Sequence, residues 1–374
     1  MKQYHSIITL ISVLILSVVS CSKADDGDSV GSPVVKTVSS KFSNKAVYGC
    51  PLVITGENFS TQPGGNVVFF GDDKVTDLVA ASATEITVIV PYISGYQIKL
   101  KVVADGVESN EKVVFFDVNK CDSAMIFRNA TVEKIREGIV WTSAVTTWLG
   151  EPRSLNVLSI KPSETNMVGI HYKSLNGTAT SSQAVSLGAV AAINAAYFGG
   201  TSHDGFVRVD GEVKVEGGRS CSAFFADGAF VIDDNIPSIV SVKGNAGAAA
   251  LSYENVVGSG PLLVKDGKIL DVNKTSDHNT TSHPRTAIGI TEDNRLLFVT
   301  VDGRFPGLAV GMSSELLARY MKTLGAKAAL NLDGGGSTTM WIKGKGVVNH
   351  TSQGGTSSWN SPVERSVGSI IYVK

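Results

Sequence analysis

The stretch Ala329-Leu330-Asn331-Leu332-Asp333-Gly334-Gly335-Gly336-Ser337-Thr338-Thr339-Met340 decides how the rest of the chain is read. An apolar, buried-type strand ends on Asn331 and Asp333, three glycines follow, and a second strand leaves through Ser337 and Thr338. A plain hairpin turn needs only one or two such residues. Three glycines in succession let the backbone approach a ligand closely and turn consecutive N–H groups toward an anion. Asp333 then faces a phosphate-sized hole. The competing reading is a glycine-rich hairpin with an ordinary turn Asp.

Upstream, His283-Pro284-Arg285-Thr286-Ala287-Ile288-Gly289 continues across the turn Glu292-Asp293-Asn294 into Leu296 to Val301, Asp302, Gly303 and Arg304. The two runs read as a hairpin that brings Arg285 close to Asp302. An Arg clamps a phosphate bidentately, and a nearby carboxylate serves a carbon centre as nucleophile, base or charge stabiliser. A structural cross-strand salt bridge is the plainer reading. In Ser313 to Leu324, Leu316, Leu317, Tyr320, Met321 and Leu324 recur at helical spacing, with Ser313 as cap and Gly325 as terminator. Glu315 falls in the first turn, where a carboxylate also complements the helix dipole without any catalysis. Further candidates are Asn194 and Tyr197 in Ile193-Asn194-Ala195-Ala196-Tyr197-Phe198, suited to a sugar platform, and Ser259 with Gly260 before Pro261, able to aim backbone N–H groups. His203-Asp204 is a weaker candidate, and His171, His278 and His350 read as surface or core residues.

From Pro33 to Val118 the chain is a series of short β-type runs separated by turns, among them Leu52 to Thr55, Val67 to Phe70, Ile86 to Val90 and Ile98 to Val103. That spacing predicts a small β-sandwich. Strand-like stretches also dominate the second, larger part, so the expected fold class is multidomain: an N-terminal all-β sandwich plus a C-terminal α+β domain with a mixed sheet.

The 374 residues carry 33 Lys plus Arg against 34 Asp plus Glu, a balance that argues against a polybasic nucleic-acid-binding chain. The first residues read as an export signal, with Lys2 and His5 ahead of the apolar run Ile7 to Val19, too short for a membrane span. Val18-Val19-Ser20-Cys21 then resembles the lipobox of a bacterial lipoprotein. That reading makes 1–21 a signal peptide with Cys21 lipidated, 22–32 a polar tether, and the bacterial cell envelope the address: the outer membrane, periplasmic or surface-facing. The membrane is then a partner through the lipid anchor. No two of Cys21, Cys50, Cys121 and Cys221 stand at a metal-knuckle or redox spacing; buried thiols are expected, with a Cys50–Cys121 disulfide as the alternative in an oxidising compartment. The absence of a Gly-x-Ser-x-Gly elbow, a His-Glu-x-x-His motif, a Walker loop and a dinucleotide fingerprint argues against the common hydrolase, zincin, NTPase and Rossmann classes.

Two resemblances follow from these residues. The segment 33–118, with Gly56-Glu57-Asn58-Phe59, Val68-Phe69-Phe70-Gly71, Val90-Pro91 and the turn Asp105-Gly106, resembles an IPT/TIG domain, which implies that the N-terminal all-β sandwich is immunoglobulin-like. The motifs around Asn194, Gly258-Ser259-Gly260-Pro261, His283-Pro284-Arg285-Thr286-Ala287, Asp302-Gly303-Arg304, Glu315-Leu316-Leu317-Ala318, Asn331 to Ser337 and Arg365-Ser366-Val367-Gly368 resemble, in that order, the phosphodiester glycosidase family. This makes 121–374 the catalytic domain.

The second resemblance implies cleavage of a sugar C1–O–P linkage, releasing a sugar and a phosphomonoester, with a phosphorylated carbohydrate or glycan as substrate. It implies Asp333, Asp302, Glu315 and Arg285 as catalytic residues. The substrate-binding set is Asn194, Tyr197, Ser259, Gly260, His283, Arg304, Asn331, Gly334, Gly335, Gly336, Ser337 and Thr338. Arg285, helped by the N–H groups of Gly335 and Gly336, is the phosphate clamp, and a carboxylate pair is the usual glycosidase arrangement. No cofactor is certain; three carboxylates with Asn can alternatively hold a divalent cation. The rival class is a lipid-anchored glycan-binding or adhesion protein without turnover.

Overall fold

The computed structural model describes residues 31–40, 45–91, 97–174, 176–199, 202–218, 226–353, 358–361 and 363–374. Cys21 with its signal and tether, and Cys221, lie outside the described residues. Strand outweighs helix throughout, at 49% against 12%. The N-terminal part is the expected two-sheet sandwich. One sheet orders Val34–Ser40, Pro51–Glu57, Glu85–Ile89 and Leu78–Ala81, and the other Asp73–Val75, Asn66–Phe70, Gln97–Ala104 and Val107–Glu108, with Lys112–Phe115 also pairing the long strand. Alternation supplies its core, as in Pro51–Glu57, where Leu52, Ile54 and Gly56 point inward.

The helix Val118–Ile126 then joins two cores. Its Cys121 packs into the sandwich while Ile126 packs into the larger body. Asp122 on the same helix ion-pairs with Arg319 at 2.5 Å and accepts from the Trp148 indole N–H at 3.1 Å. Cys50 and Cys121 are free thiols, and burial pushes the Cys121 thiol up to about 11.

The C-terminal body is built on an eight-stranded sheet ordered Thr131–Arg136, Ile139–Trp148, Glu151–Ile160, Leu296–Val301, Arg285–Thr291, Ala326–Asn331, Leu262–Lys265 and Lys268–Ile269. Hairpin neighbours alternate with strands from far along the chain, while the ladders between its named strands are antiparallel. Arg285–Thr291 and Leu296–Val301 are buried at every position, because the helix Ser314–Thr323 covers one face of the sheet and a second sheet covers the other. That helix begins as its sequence dictates: the Ser313 hydroxyl accepts the Leu316 N–H at 3.2 Å.

The second sheet orders Val168–Tyr172, Ser369–Val373, Ala191–Asn194, Met340–Ile342 and Gly346–Val347. Between Asn331 and Met340 the chain passes from the first sheet to the second. The Leu332 N–H bonds the Thr286 carbonyl at 2.9 Å, and one residue later the Asp333 N–H bonds the Ala195 carbonyl at 3.0 Å. The glycine run sits on this seam.

Candidate functional site

A cleft of about 270 Å3 opens at the seam, lined by Tyr197, Asp204, His278, His283, Pro284, Arg285, Arg304, Asp333, Gly334, Gly335, Gly336 and Arg365. Two larger hollows exist, of about 830 Å3 beside the helix Val118–Ile126 and about 720 Å3 over the outer face of the large sheet. Chemistry selects the smaller one: three guanidinium groups, two imidazoles and two carboxylates converge there.

Asp333 is its centre. Burial pushes its carboxyl up to about 7, against opposing pulls from the Ser337 hydroxyl, the Arg365 charge and the Gly334 N–H, with Asp204 adding to the rise. A carboxyl poised there donates and accepts protons near neutrality. The glycines are required by close approach. A Cβ on Gly336 would stand 2.6 Å from both an Arg365 guanidinium nitrogen and Gln353 Oε1, and Gly335, at φ +61°, lies against Arg304. The Gly335 N–H, expected to hold phosphate, is instead spent on the Pro284 carbonyl at 2.9 Å.

The cations divide by function. Arg304 follows Gly303 in the left-handed region at φ +66° and makes no hydrogen bond to a described residue. Arg365 holds Gln353 Oε1 at 2.6 Å and reaches the Ser337 hydroxyl at 3.4 Å. Arg285, expected as the clamp, lines the cleft but is 1% exposed and tied to backbone. It donates to the carbonyls of Met312 at 2.9 Å, His278 at 2.5 Å and Thr281 at 3.2 Å. It fixes the cleft wall that carries His278, whose imidazole burial and the Arg285 charge push down to about 4. His278 Nε2 lies 3.1 Å from the Tyr197 hydroxyl, which also meets the Gly260 carbonyl at 3.2 Å and the Asn331 amide. His283 is half-buried on the same wall, its imidazole lowered by burial and by Arg285 and Arg304.

Several expected roles change. Arg285 stands opposite Val301 in the ladder, so Asp302 is one position out of register and engages the other side. There Asp302 is fully buried, accepting from Ser154 at 2.5 Å, Asn349 at 3.2 Å and the backbone and ring nitrogens of His350 at 3.0 and 2.9 Å. His350 stacks on Trp359 at 3.5 Å, and neither Asp302 nor His350 lines the cleft. Glu315 is exposed and paired with Lys274, because the helix turns Ser314, Leu317, Ala318 and Met321 to the core and leaves position 315 outside.

Asn194 and Asn331 orient the framework in place of a sugar. The Asn194 oxygen accepts from the Thr286 hydroxyl at 2.7 Å and the Thr339 N–H at 3.1 Å, and its amide donates to the Asp333 carbonyl at 2.6 Å. Asn331 donates to the Gly260 carbonyl at 3.0 Å, and the Ser259 hydroxyl to the Asn331 carbonyl at 2.7 Å. Ser259, Ser337 and Thr338 are buried behind the cleft wall. Among the described residues no three His, Cys, Asp or Glu side chains gather as a metal site, and the carboxylates considered for a divalent cation stand apart. His278 and Arg365 are the cleft residues sequence reasoning gave no role. An Arg at the start of the last strand carries no local signal, and nothing local separates His278 from a surface histidine.

A family model described as phosphodiester glycosidase matches residues 187–374, half of the chain. The chain belongs to the phosphodiester glycosidase family. An IPT/TIG domain model matches residues 33–116 of this family member. A curated relative, the SPbeta prophage-derived uncharacterized protein YomE of Bacillus subtilis (strain 168), is 33% identical over 157 residues. The match takes in 40% of the chain and 22% of YomE, so the chain spans about a fifth of that relative's length. Among solved structures, the zebrafish N-acetylglucosamine-1-phosphodiester alpha-N-acetylglucosaminidase catalytic domain, auto-inhibited by its pro-peptide, is 16% identical. That alignment covers 66% of this chain and 87% of that one, with a TM-score of 0.49. A hypothetical protein from Synechocystis is 15% identical over 91% of this chain and 80% of its own, with a TM-score of 0.48. Membership therefore rests on the family model.

Proposed function

We propose that this glycosidase-family chain hydrolyses a sugar-1-phosphodiester, breaking the C1–O bond to release a sugar and a phosphomonoester. The single observation that carries the reading is a half-buried carboxyl raised to about 7 beside two guanidinium groups, Arg304 and Arg365, in one small cleft. The two Arg charges hold the phosphate, where charge accumulates as the bond breaks. Asp333, which still carries its proton in a large share of molecules near neutral pH, gives that proton to the departing phosphate oxygen. A volume just under the ~300–1,000 Å3 of ordinary ligand pockets suits the reacting sugar phosphate alone.

The same reading places the protein on the bacterial cell envelope, held by lipid at Cys21. Mass spectrometry of the membrane fraction tests it: diacylated or triacylated Cys21 is expected, and an unmodified soluble chain refutes the anchor. For the reaction, the purified protein is incubated with UDP-N-acetylglucosamine and with p-nitrophenyl sugar-1-phosphodiesters. Release of free sugar with a phosphomonoester is expected. Saturable binding of glycans with no turnover of any sugar phosphodiester would favour the binding-protein alternative.

A further inference from the structure

The cleft leaves the pairing of carboxylates incomplete, since Asp302 is locked behind the sheet and Glu315 lies on the surface. Among the described residues one other carboxylate reaches it. Asp204 lines the same 270 Å3 cleft as Asp333, Arg304 and Arg365. Its backbone is fixed on all sides: the N–H groups of Asp204 and Gly205 both bond the Tyr197 carbonyl, at 3.0 and 3.2 Å. Asn245 donates to the Asp204 carbonyl at 2.6 Å and accepts from the Phe206 N–H at 3.2 Å. Gly205 permits this packing, because a Cβ there would stand 2.7 Å from the Gly258 carbonyl oxygen. Every one of these bonds uses main chain, which leaves the half-buried Asp204 carboxylate with no hydrogen bond to a described residue. A residue clamped by its backbone, with an uncommitted carboxylate that shares one small cleft with a second carboxyl, is arranged for reaction more than for support.

We propose that Asp204 is the second catalytic carboxylate of this chain, the base that takes a proton from the water attacking the anomeric carbon. The inference rests on the sugar-phosphodiester reading above. As the water oxygen bonds to C1, one water proton passes to Asp204. The C1–O bond breaks, its electron pair leaves with the phosphate oxygen, and that oxygen takes the Asp333 proton. Asp204 ends protonated and Asp333 ionised, and exchange with solvent restores both. A water-mediated displacement of this kind inverts the anomeric configuration.

The experiment compares wild type with Asp204→Asn and Asp204→Ala on the p-nitrophenyl sugar-1-phosphodiester, with circular dichroism confirming the fold. The expected results are a kcat at least about 100-fold lower with KM within about threefold, an inverted product by NMR, and at least tenfold recovery of Asp204→Ala by formate or azide. A variant keeping more than a tenth of kcat, or a product of retained configuration, overturns the role of Asp204 while leaving the reaction standing. If wild type turns over no sugar phosphodiester, the reaction fails, and Asp204 is then judged by titrating Asp333 in both proteins by carboxyl NMR. Asp204→Asn lowers the Asp333 midpoint if the two carboxyl groups face each other, and an unchanged midpoint refutes their pairing.

Discussion

Replacing Asp333 by Asn separates what this carboxyl does for catalysis from what it does to the fold. Burial raises its midpoint from 3.8 to about 7, which means the folded protein holds a proton that the unfolded chain has released. For a group raised in this way, the stabilising contribution is complete below 3.8 and is lost as pH climbs through about 7. At about 1.36 kcal/mol per pH unit, the interval from 3.8 to about 7 amounts to a ceiling of about 4 kcal/mol, of which about 2.7 kcal/mol falls between pH 5 and pH 7. The side chain is open to the cleft, and water there takes part of that, so roughly 1–2.5 kcal/mol is expected. Asn is near-isosteric and never ionises. Urea denaturation at pH 5 and pH 8 should therefore show Asp333→Asn gaining that amount on wild type as pH rises, or a few degrees in Tm. On the same samples kcat/KM for a sugar-1-phosphodiester should fall at least about 100-fold, more than about 2.7 kcal/mol of barrier, and the wild-type rate should decline above pH of about 7. A stability difference identical at both pH values would refute the raised carboxyl. A variant retaining more than a tenth of the activity would refute its catalytic role.

Four further outcomes follow from the same geometry. Arg304→Ala should cost about 100- to 1,000-fold in kcat/KM on a sugar phosphodiester and far less on an aryl glycoside of the same sugar, because only the former presents an anion; equal losses would mean that Arg304 supports the loop. Arg285→Ala should lower stability by about 2–4 kcal/mol in urea titrations, since the buried Met312 carbonyl and the partly buried carbonyls of His278 and Thr281 lose their donor, and a loss under about 1 kcal/mol would return Arg285 to the phosphate. Glu315→Gln should leave kcat/KM within twofold and stability within about 0.5 kcal/mol; a large drop in rate would bring that carboxylate back into the site. His278 stays neutral in the fold down to about 4 while the unfolded chain protonates near 6.5, so stability should fall as pH drops across that window, and His278→Gln should flatten the acid limb of a Tm-versus-pH curve.

Local patterns carried much of this protein. Alternation and turn residues were enough for the sandwich, a 3.6-residue period for the helix Ser314–Thr323, and three glycines after Asp333 for the cleft wall, because each depends on neighbours a few residues away. Tertiary structure alone decided which charged side chains meet. One step of strand register sends Asp302 to His350 instead of Arg285, and one step around a helix leaves Glu315 on the surface. Arg285 is claimed by carbonyls of segments that only the fold brings beside it. Asp204 and Arg365, 161 positions apart, share a cleft with Asp333 because the chain changes sheets there. Sequence spacing sets the secondary structure and the ends of strands, whereas the assembly of a site from distant segments depends on how two sheets close on each other, which no single segment encodes.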